Sequence, residues 1–358
     1  MTIASEITRI NTNIAAAYTA CNNKGATMPV AQNSANLATC IGSITGGGGS
    51  STKYGASIDN LLGNIDANDV LMPPVTTFSA TFTDVQDIAT YTLAYKFYHT
   101  GVTSVDFPDL TTLSSINALD SFCIDCSGLT SFTADALTTV SGSYSLYYAF
   151  SECTHLTTVD LSALTTVSGS YSFSYSFNRC TNLTTVDLSA LTTVSGSHAF
   201  DYAFTYCNSL TSIDLSALTT VSSSYGLGYT FSNCRNLTTI DLSALKTVSG
   251  NNAFYRAFNG CTSLTSINFP ALEIISGTNA FASAFQSCTS LTSVSFPALT
   301  SNSFSNRTNQ FNNMLKGVTG CTVHFPSNLQ SVIGNWTDVV AGFGGTNTAV
   351  LFDLTATE

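Results

Sequence analysis

Leu156-Thr-Thr-Val-Asp-Leu-Ser-Ala-Leu-Thr-Thr-Val-Ser-Gly-Ser-Tyr-Ser-Phe-Ser-Tyr-Ser-Phe-Asn-Arg-Cys-Thr-Asn182 is followed at once by a near copy of itself beginning at Leu183. The period is 27 residues, and the cysteines Cys126, Cys153, Cys180, Cys207, Cys234, Cys261 and Cys288 mark it along the chain. A unit this short cannot bury its own apolar face, so self-similarity at such a period implies stacked units with one continuous core, a solenoid. A solenoid grows unit by unit, and 358 residues therefore need not divide into several compact domains.

Within the unit, Leu156, Val159, Leu161, Leu164 and Val167 are apolar among Thr and Ser. Val159 and Leu161 are two apart, as on one face of a strand, and β-branched Thr157, Thr158 and Val159 favour extended backbone. Leu156 to Ser162 is thus expected to add one strand to a parallel sheet running the length of the array. Ser168-Gly169-Ser170 interrupts the pattern. Beyond it Phe173, Ser176, Phe177 and Cys180 are spaced as the inner face of a short helix, while Tyr171, Phe173, Tyr175 and Phe177 also alternate as a strand would. The helix is preferred, because it brings Cys180 to the buried face and because small residues recur at Ala149, Ser176, Ala203, Ala257 and Ala284, where helices would pack closely.

The order Leu264, Ile267, Phe269, Pro270, Leu272, Ile275, Gly277, Ala284, Phe285, Cys288 resembles the repeat of the BspA-like leucine-rich repeat proteins, and the resemblance covers roughly Tyr91 to Leu329. It departs from that pattern in two ways. The stretch between the Ile-Gly and Ala-Phe elements is about four residues longer, and Ser162, Ser189, Ser216 and Ser243 stand where the pattern has Pro. The resemblance implies an α/β leucine-rich repeat horseshoe with a parallel sheet on one side and short helices on the other. Its family role implies adhesion to a surface.

Outside the array, Ile3, Ile7, Ile10, Ile14, Ala17 and Cys21 follow a 4-3-4-3-4 spacing, the seam of a short coiled coil or of a helix packed on another subunit. Isoleucine at both seam positions favours a trimer or tetramer, so a homo-oligomer held by Ile3, Ile7, Ile10 and Ile14 is expected, with a trimer favoured. Residues 1–45 are read as this helical attachment segment, 46–52 as a Gly/Ser linker, 53–90 as an N-terminal cap, 91–335 as the solenoid and 336–358 as a C-terminal cap. Asn64, Asp66, Asn68 and Asp69 have the look of a calcium loop, but Val75 stands where the closing Glu belongs, and a solvated turn is the plainer reading.

Comparing units separates what stacking requires from what it leaves free. The strand side is monotonous: Thr158, Asp160 and Ser162 become Thr185, Asp187 and Ser189, then Ser212, Asp214 and Ser216, then Thr239, Asp241 and Ser243. Four aspartates about 4.8 Å apart repel one another, so partial protonation, separation by water or a bound cation is expected, a solvated acidic stripe being the simplest case. On the other side, Tyr144, Tyr171, His198, Tyr225 and Asn252 share one position. Tyr148, Tyr175, Tyr202, Tyr229 and Arg256 share a second, and Glu152, Arg179, Tyr206 and Asn233 a third. A tyrosine-rich, varied face suits recognition, since the ring gives apolar contact and the hydroxyl a hydrogen bond at modest entropic cost. Candidate ligand contacts are therefore Tyr144, Tyr148, Tyr171, Tyr175, Arg179, Tyr202, Tyr206, Tyr225, Tyr229 and Arg256.

No metalloprotease, phosphate-loop or nucleophile-elbow motif occurs, and His99, His155, His198 and His324 are scattered as surface residues, so no enzyme, cofactor or metal site is expected. The net charge of −11 disfavours nucleic acid. No apolar run is long enough to cross a membrane. Met1 to Arg9 contains Glu6 and Arg9 and does not read as a secretory signal. The seven aligned cysteines read as a file of buried thiols made in a reducing cytoplasm, because parallel Cβ vectors fit a disulfide poorly.

The segment from Ala4 through Pro29 and Leu37 to Ile44 also resembles the N-termini of phage and prophage tail proteins. That resemblance implies a virion component assembled in the bacterial cytoplasm, a tail fibre or receptor-binding adhesin whose partners are other tail proteins and a host cell-surface glycan or protein. A bacterial surface adhesin and a structural virion spacer are the alternatives.

Overall fold

The computed structural model describes residues 78–82, 84–88, 93–97, 101–300, 310–330 and 342–354. The expected coiled-coil seam at Ile3, Ile7, Ile10 and Ile14, the linker, the calcium-like loop and His99 lie outside the described residues.

The 27-residue unit forms one rung, and rungs stack in register. Val102–Asp106, Ser131–Thr133, Thr158–Asp160, Thr185–Asp187, Ser212–Asp214 and Thr239–Asp241 pair in parallel, each with its neighbour one unit on, and Phe78–Thr81 adds to their N-terminal edge. The register is one to one: Thr158 faces Thr185, Val159 faces Val186 and Asp160 faces Asp187. Strands this short are stable only as members of a ladder. Ser266–Asn268, Ser293–Ser295, Thr322–Pro326 and Ala349–Leu354 form a second such sheet of four strands.

The interruption between Asp241 and Ser266 coincides with a change of core residue. Leu161, Leu188, Leu215 and Leu242 fill one column in the middle units. Phe269, Phe296, Phe325 and Phe352 fill it thereafter, their rings stacked at 5.1, 5.5 and 6.1 Å. A ring is bulkier than an isobutyl group, and Ile240 at the junction stays half-buried where Ile213 and Ile267 are buried.

A further ladder holds the junction together. Thr112–Leu113, Thr139–Val140, Thr166–Val167, Thr193–Val194, Thr220–Val221, Thr247–Val248 and Ile274–Ile275 form a parallel sheet of seven strands, unbroken across that point. This sheet is hidden in the sequence because each strand is two residues long and presents few apolar side chains.

The third side overturns the expectation of short helices. From Tyr171 to Cys180 the N–H groups of Tyr171, Phe173, Tyr175, Phe177 and Arg179 donate to the carbonyls of Ser197, Ala199, Asp201, Ala203 and Thr205 in the next rung, at 2.8 to 3.0 Å. The alternate N–H groups, of Ser174, Ser176, Asn178 and Cys180, donate three residues back within the rung, at 3.1 to 3.2 Å. An α-helix would send every one of them four residues back along its own chain. The segment is instead a ribbon of overlapping β-turns, with a left-handed residue at every fourth position: Tyr171 at φ 57°, Tyr175 at 58° and Arg179 at 61°. The left-handed Tyr171, Tyr175 and Arg179 are its outward residues and the three between each pair are buried, so Phe173, Ser176, Phe177 and Cys180 reproduce the spacing of a helical face without a helix. The architecture is thus a β-solenoid of two parallel ladders and a stack of turns.

Close approach of the rungs fixes one glycine column. A Cβ on Gly169 would lie 2.1 Å from the carbonyl oxygen of Gly142, and one on Gly250 would lie 1.9 Å from that of Ser223. Ser223 breaks the column, and the same rung compensates three residues on: Gly226 stands where other units have Ser145, Ser172, Ala199 or Ala253, and a Cβ there would meet the Ser223 hydroxyl at 2.5 Å.

The core is a set of files parallel to the stacking axis. Phe150, Phe177, Phe204, Phe231, Phe258 and Phe285 stack at 5.3 to 5.7 Å and are almost wholly buried. Beside them Cys153, Cys180, Cys207, Cys234, Cys261 and Cys288 are buried free thiols. Each donates to a backbone carbonyl one rung back, as Cys180 does to Phe150 at 3.2 Å and Cys207 to Phe177 at 3.2 Å. Burial pushes Cys153, Cys234 and Cys288 up to about 12. The expectation of seven thiols needs one correction: Cys126 is joined to Cys123 in a disulfide. The two cysteines lie three residues apart within one turn, so the poor geometry argued for neighbouring rungs does not apply to them.

Candidate recognition surface

The strand face ties many of its polar side chains to its own backbone. Thr157 Oγ1 donates to the Thr130 carbonyl at 2.9 Å and Thr184 Oγ1 to that of Thr157 at 3.1 Å, so these threonines are drawn into the ladder while Thr158 and Thr185 beside them stay exposed. Asp160, Asp187, Asp214 and Asp241 each accept the N–H two residues on, from Ser162, Ser189, Ser216 and Ser243, at 2.9 to 3.0 Å. These Asx-turns give each carboxylate a main-chain donor. The Ser216 hydroxyl and N–H hold Asp214 below the usual carboxylate range, which favours its ionised form. Among the described residues, no group of three or more His, Cys, Asp and Glu is placed to hold a metal ion.

The turn face is built differently. All three varied positions that emerge from comparing units are its left-handed positions: Tyr144, Tyr171, His198, Tyr225 and Asn252 have φ of 52 to 57°, and Tyr148, Tyr175, Tyr202, Tyr229 and Arg256 have φ of 51 to 58°. Glu152, Arg179, Tyr206, Asn233 and Gly260 follow at 60 to 74°. That conformation costs an L-residue about 1 kcal/mol or more and is worst for β-branched side chains. Accordingly Thr, Val and Ile are missing from these positions in a threonine-rich chain. The signal in the sequence for turns rather than helices is this strict spacing of four, with no β-branched residue.

Tyrosines in the first two files cover one another. Tyr144, Tyr171, His198 and Tyr225 stack at 5.0, 4.6 and 4.7 Å, nearly parallel. Tyr148, Tyr175, Tyr202 and Tyr229 stack at 4.6, 4.7 and 4.2 Å, and the Arg256 guanidinium closes that file 5.8 Å from the Tyr229 ring. The ring faces are therefore used within the protein, and these files show solvent their edges and hydroxyls. Burial pushes Tyr147 up to about 12 and also raises Tyr148, Tyr175, Tyr202, Tyr225 and Tyr229, so the hydroxyls stay protonated at neutral pH.

Two features of this face have no counterpart in the sequence reading. His198 is not the isolated surface residue expected from its scattered position; its Nδ1 lies 2.8 Å from Asp201 Oδ2 and both side chains are largely buried. Asp201 Oδ1 has no hydrogen-bond partner, and burial pushes the carboxyl up to about 6 in spite of the imidazole. Gly228 makes room for it, since a Cβ there would stand 3.1 Å from Oδ1. The second is a shallow depression of about 440 Å³ along the third file, lined by Glu152, Thr154, Arg179, Thr181, Tyr206 and Asn208.

These two faces on one stack of rungs define a repeat protein that separates a structural side from a variable side. The chain belongs to the BspA-type leucine-rich repeat family, whose profile matches 90–221, 147–256, 173–316 and 255–335, well over half of the sequence. No curated protein matches it. Similar solved structures include a leucine-rich repeat protein from Bacteroides ovatus, 18% identical over 76% of this chain and 92% of that one, with a TM-score of 0.26. The T. pallidum leucine-rich repeat protein is 14% identical over 78% and 95%, with a TM-score of 0.28. InlP of Listeria monocytogenes is 18% identical over 76% and 70%, with a TM-score of 0.32.

Proposed function

We propose that the chain is a binding protein that recognises a cell surface through its turn face, carried by a phage particle as a tail fibre or receptor-binding component. One observation carries the recognition: the N–H groups of the turn face go to main-chain carbonyls and the side chains that bond to its backbone, such as Ser176 and Cys180, point inward, so its outward side chains are free to vary, and they vary among residues suited to contact. Catalysis has no comparable support, because the one close acid-base pair on this face among the described residues, His198 with Asp201, is largely buried and has no nucleophile bonded to it. The phage assignment rests on the likeness of residues 4–44 to tail-protein N-termini. Carriage on the surface of a bacterium is the second reading, favoured by the family.

Labelled full-length chain is expected to bind intact cells saturably, with the binding weakened by substitutions along Tyr202, Tyr206 and Arg179 and not by substitutions along Thr158 and Thr185. Mass spectrometry of purified particles is expected to detect the chain. Saturable binding that survives the turn-face substitutions and is lost on changing the strand face would reverse the assignment of faces.

A further inference from the structure

The third file differs from the other two. Glu152, Arg179, Tyr206 and Asn233 occupy successive rungs, and Tyr206 is the single aromatic residue among them. Its ring therefore has no stacked aromatic partner, and at 39% exposure it is one of the few large apolar side chains open to solvent among the described residues. Arg179 Nη1 donates to Glu152 Oε1 at 3.3 Å, and its guanidinium carbon stands 6.0 Å from the centre of the Tyr206 ring. Thr154, Thr181 and Asn208 complete the depression. Asn208 Oδ1, tucked at its lining, has no hydrogen-bond donor.

This set combines one partly exposed aromatic ring, not covered by a second ring, with a fork of donors and acceptors whose charges cancel. The ring offers contact to a patch of C–H groups. The carboxylate accepts from hydroxyls and the guanidinium donates to them, geometries that charge-assisted bonds favour. An anionic ligand would have to displace Glu152 from Arg179, and a cationic one Arg179 from Glu152, whereas a neutral polyhydroxylated ring adds to the pair without breaking it. The depression is shallow and open, suited to one or two ring-sized units at the end or edge of a longer chain. Resting on the recognition role proposed above, we infer that Glu152, Arg179 and Tyr206 form a binding site for a neutral saccharide.

The test uses the full-length chain on an array of neutral and acidic oligosaccharides, followed by titration with the neutral glycan bound best. Tyr206→Asn is the main variant, because Asn233 occupies the same left-handed position one rung on and the fold already accepts it there. The expected result is retention of at least one neutral glycan, at least a tenfold loss of affinity in Tyr206→Asn and in Arg179→Ala, and no change in Thr185→Ser on the strand face, which copies the residue that Ser212 supplies at the same position one rung on. A preference for acidic glycans, or unchanged affinity in Tyr206→Asn with its far-ultraviolet circular dichroism intact, would overturn the site. Failure to bind any glycan while the chain still adheres to cells would also overturn it, leaving the recognition role standing on a protein ligand.

Discussion

The strand face and the turn face come from the same 27-residue unit and are both zipped to the next rung by main-chain hydrogen bonds, yet one is uniform and the other varied. On the strand face, many side chains join the ladder: the hydroxyls of Thr157 and Thr184 reach the previous rung and aspartates cap the following turn. Changing such a residue removes a structural bond. On the turn face the N–H groups go to main-chain carbonyls, about half across rungs and about half three residues back, with inward Ser, Thr and Cys side chains adding to them. Its outward residues answer only to the left-handed backbone, which excludes β-branching and little else. Freedom to vary is thus set by where the backbone's hydrogen bonds go, more than by exposure.

The sharpest way to break both faces together is to force the rungs apart at the seam between them. Gly169→Ala places a methyl group 2.1 Å from the Gly142 carbonyl oxygen and 2.7 Å from its carbon, both main-chain atoms that cannot swing aside. A loss of about 4 kcal/mol or more is expected, in the range of severe strain and overpacking. Urea unfolding should show it together with a split transition, because a repeat array comes apart at its weakest interface. A loss under about 1 kcal/mol would mean that the rungs stand further apart than this geometry requires.

Tyr202→Thr tests the backbone rule of the turn face. It loses two stacked neighbours and puts a β-branched residue at φ 58°, for an expected cost of about 2 to 3 kcal/mol. Tyr202→Asn loses the same stacking but suits the left-handed region, and should cost roughly half as much. Equal losses in thermal unfolding would remove the conformational explanation for the missing Thr, Val and Ile.

Asp201→Asn probes the buried carboxyl in that face. Its folded-state pKa is raised to about 6, above the usual 3.8, so the folded protein holds the proton more tightly and its stability falls as pH rises through that window. The asparagine variant lacks this penalty. It should match the parent below about pH 4 and exceed it by up to about 2 kcal/mol above pH 6. Parallel stability-versus-pH curves for the two proteins would refute the assignment.

How far these contrasts are legible in the sequence depends on the period of each segment. The first ladder is readable because Val159 and Leu161 repeat at two and recur every 27 residues, and the buried files of Phe177 and Cys180 follow from the repeat itself. The turn ribbon imitates a helix because its burial, three residues in and one out, has a period of four, close to the 3.6 of a helix over so short a segment. Tyr171, Tyr175 and Arg179 sit four apart without drift, and that regularity is the available clue. Comparing units locates the varied positions but not the self-stacking of their tyrosines, because side-chain direction in a left-handed turn cannot be read from spacing. The Asp201 site depends on Gly228 one rung away, a contact only the stacking register reveals.

The mildest test concerns the face expected to be uniform. Asp214→Ala removes the acceptor for the Ser216 N–H and should cost about 1 kcal/mol at neutral pH, the ordinary worth of one hydrogen bond to a charged group near the surface. Because the folded-state pKa of Asp214 lies below its usual 3.8, the stability it confers is present above that value and lost as pH falls through the lowered one. The parent and the alanine variant should therefore converge in acid. Asp160→Ala and Asp187→Ala, which remove the same turn in neighbouring rungs, should cost the same within about 0.5 kcal/mol if the face is as repetitive in energy as in geometry. Unequal costs among the three would show that neighbouring carboxylates couple along the file, and that part of each turn's stabilisation is offset by repulsion from the next.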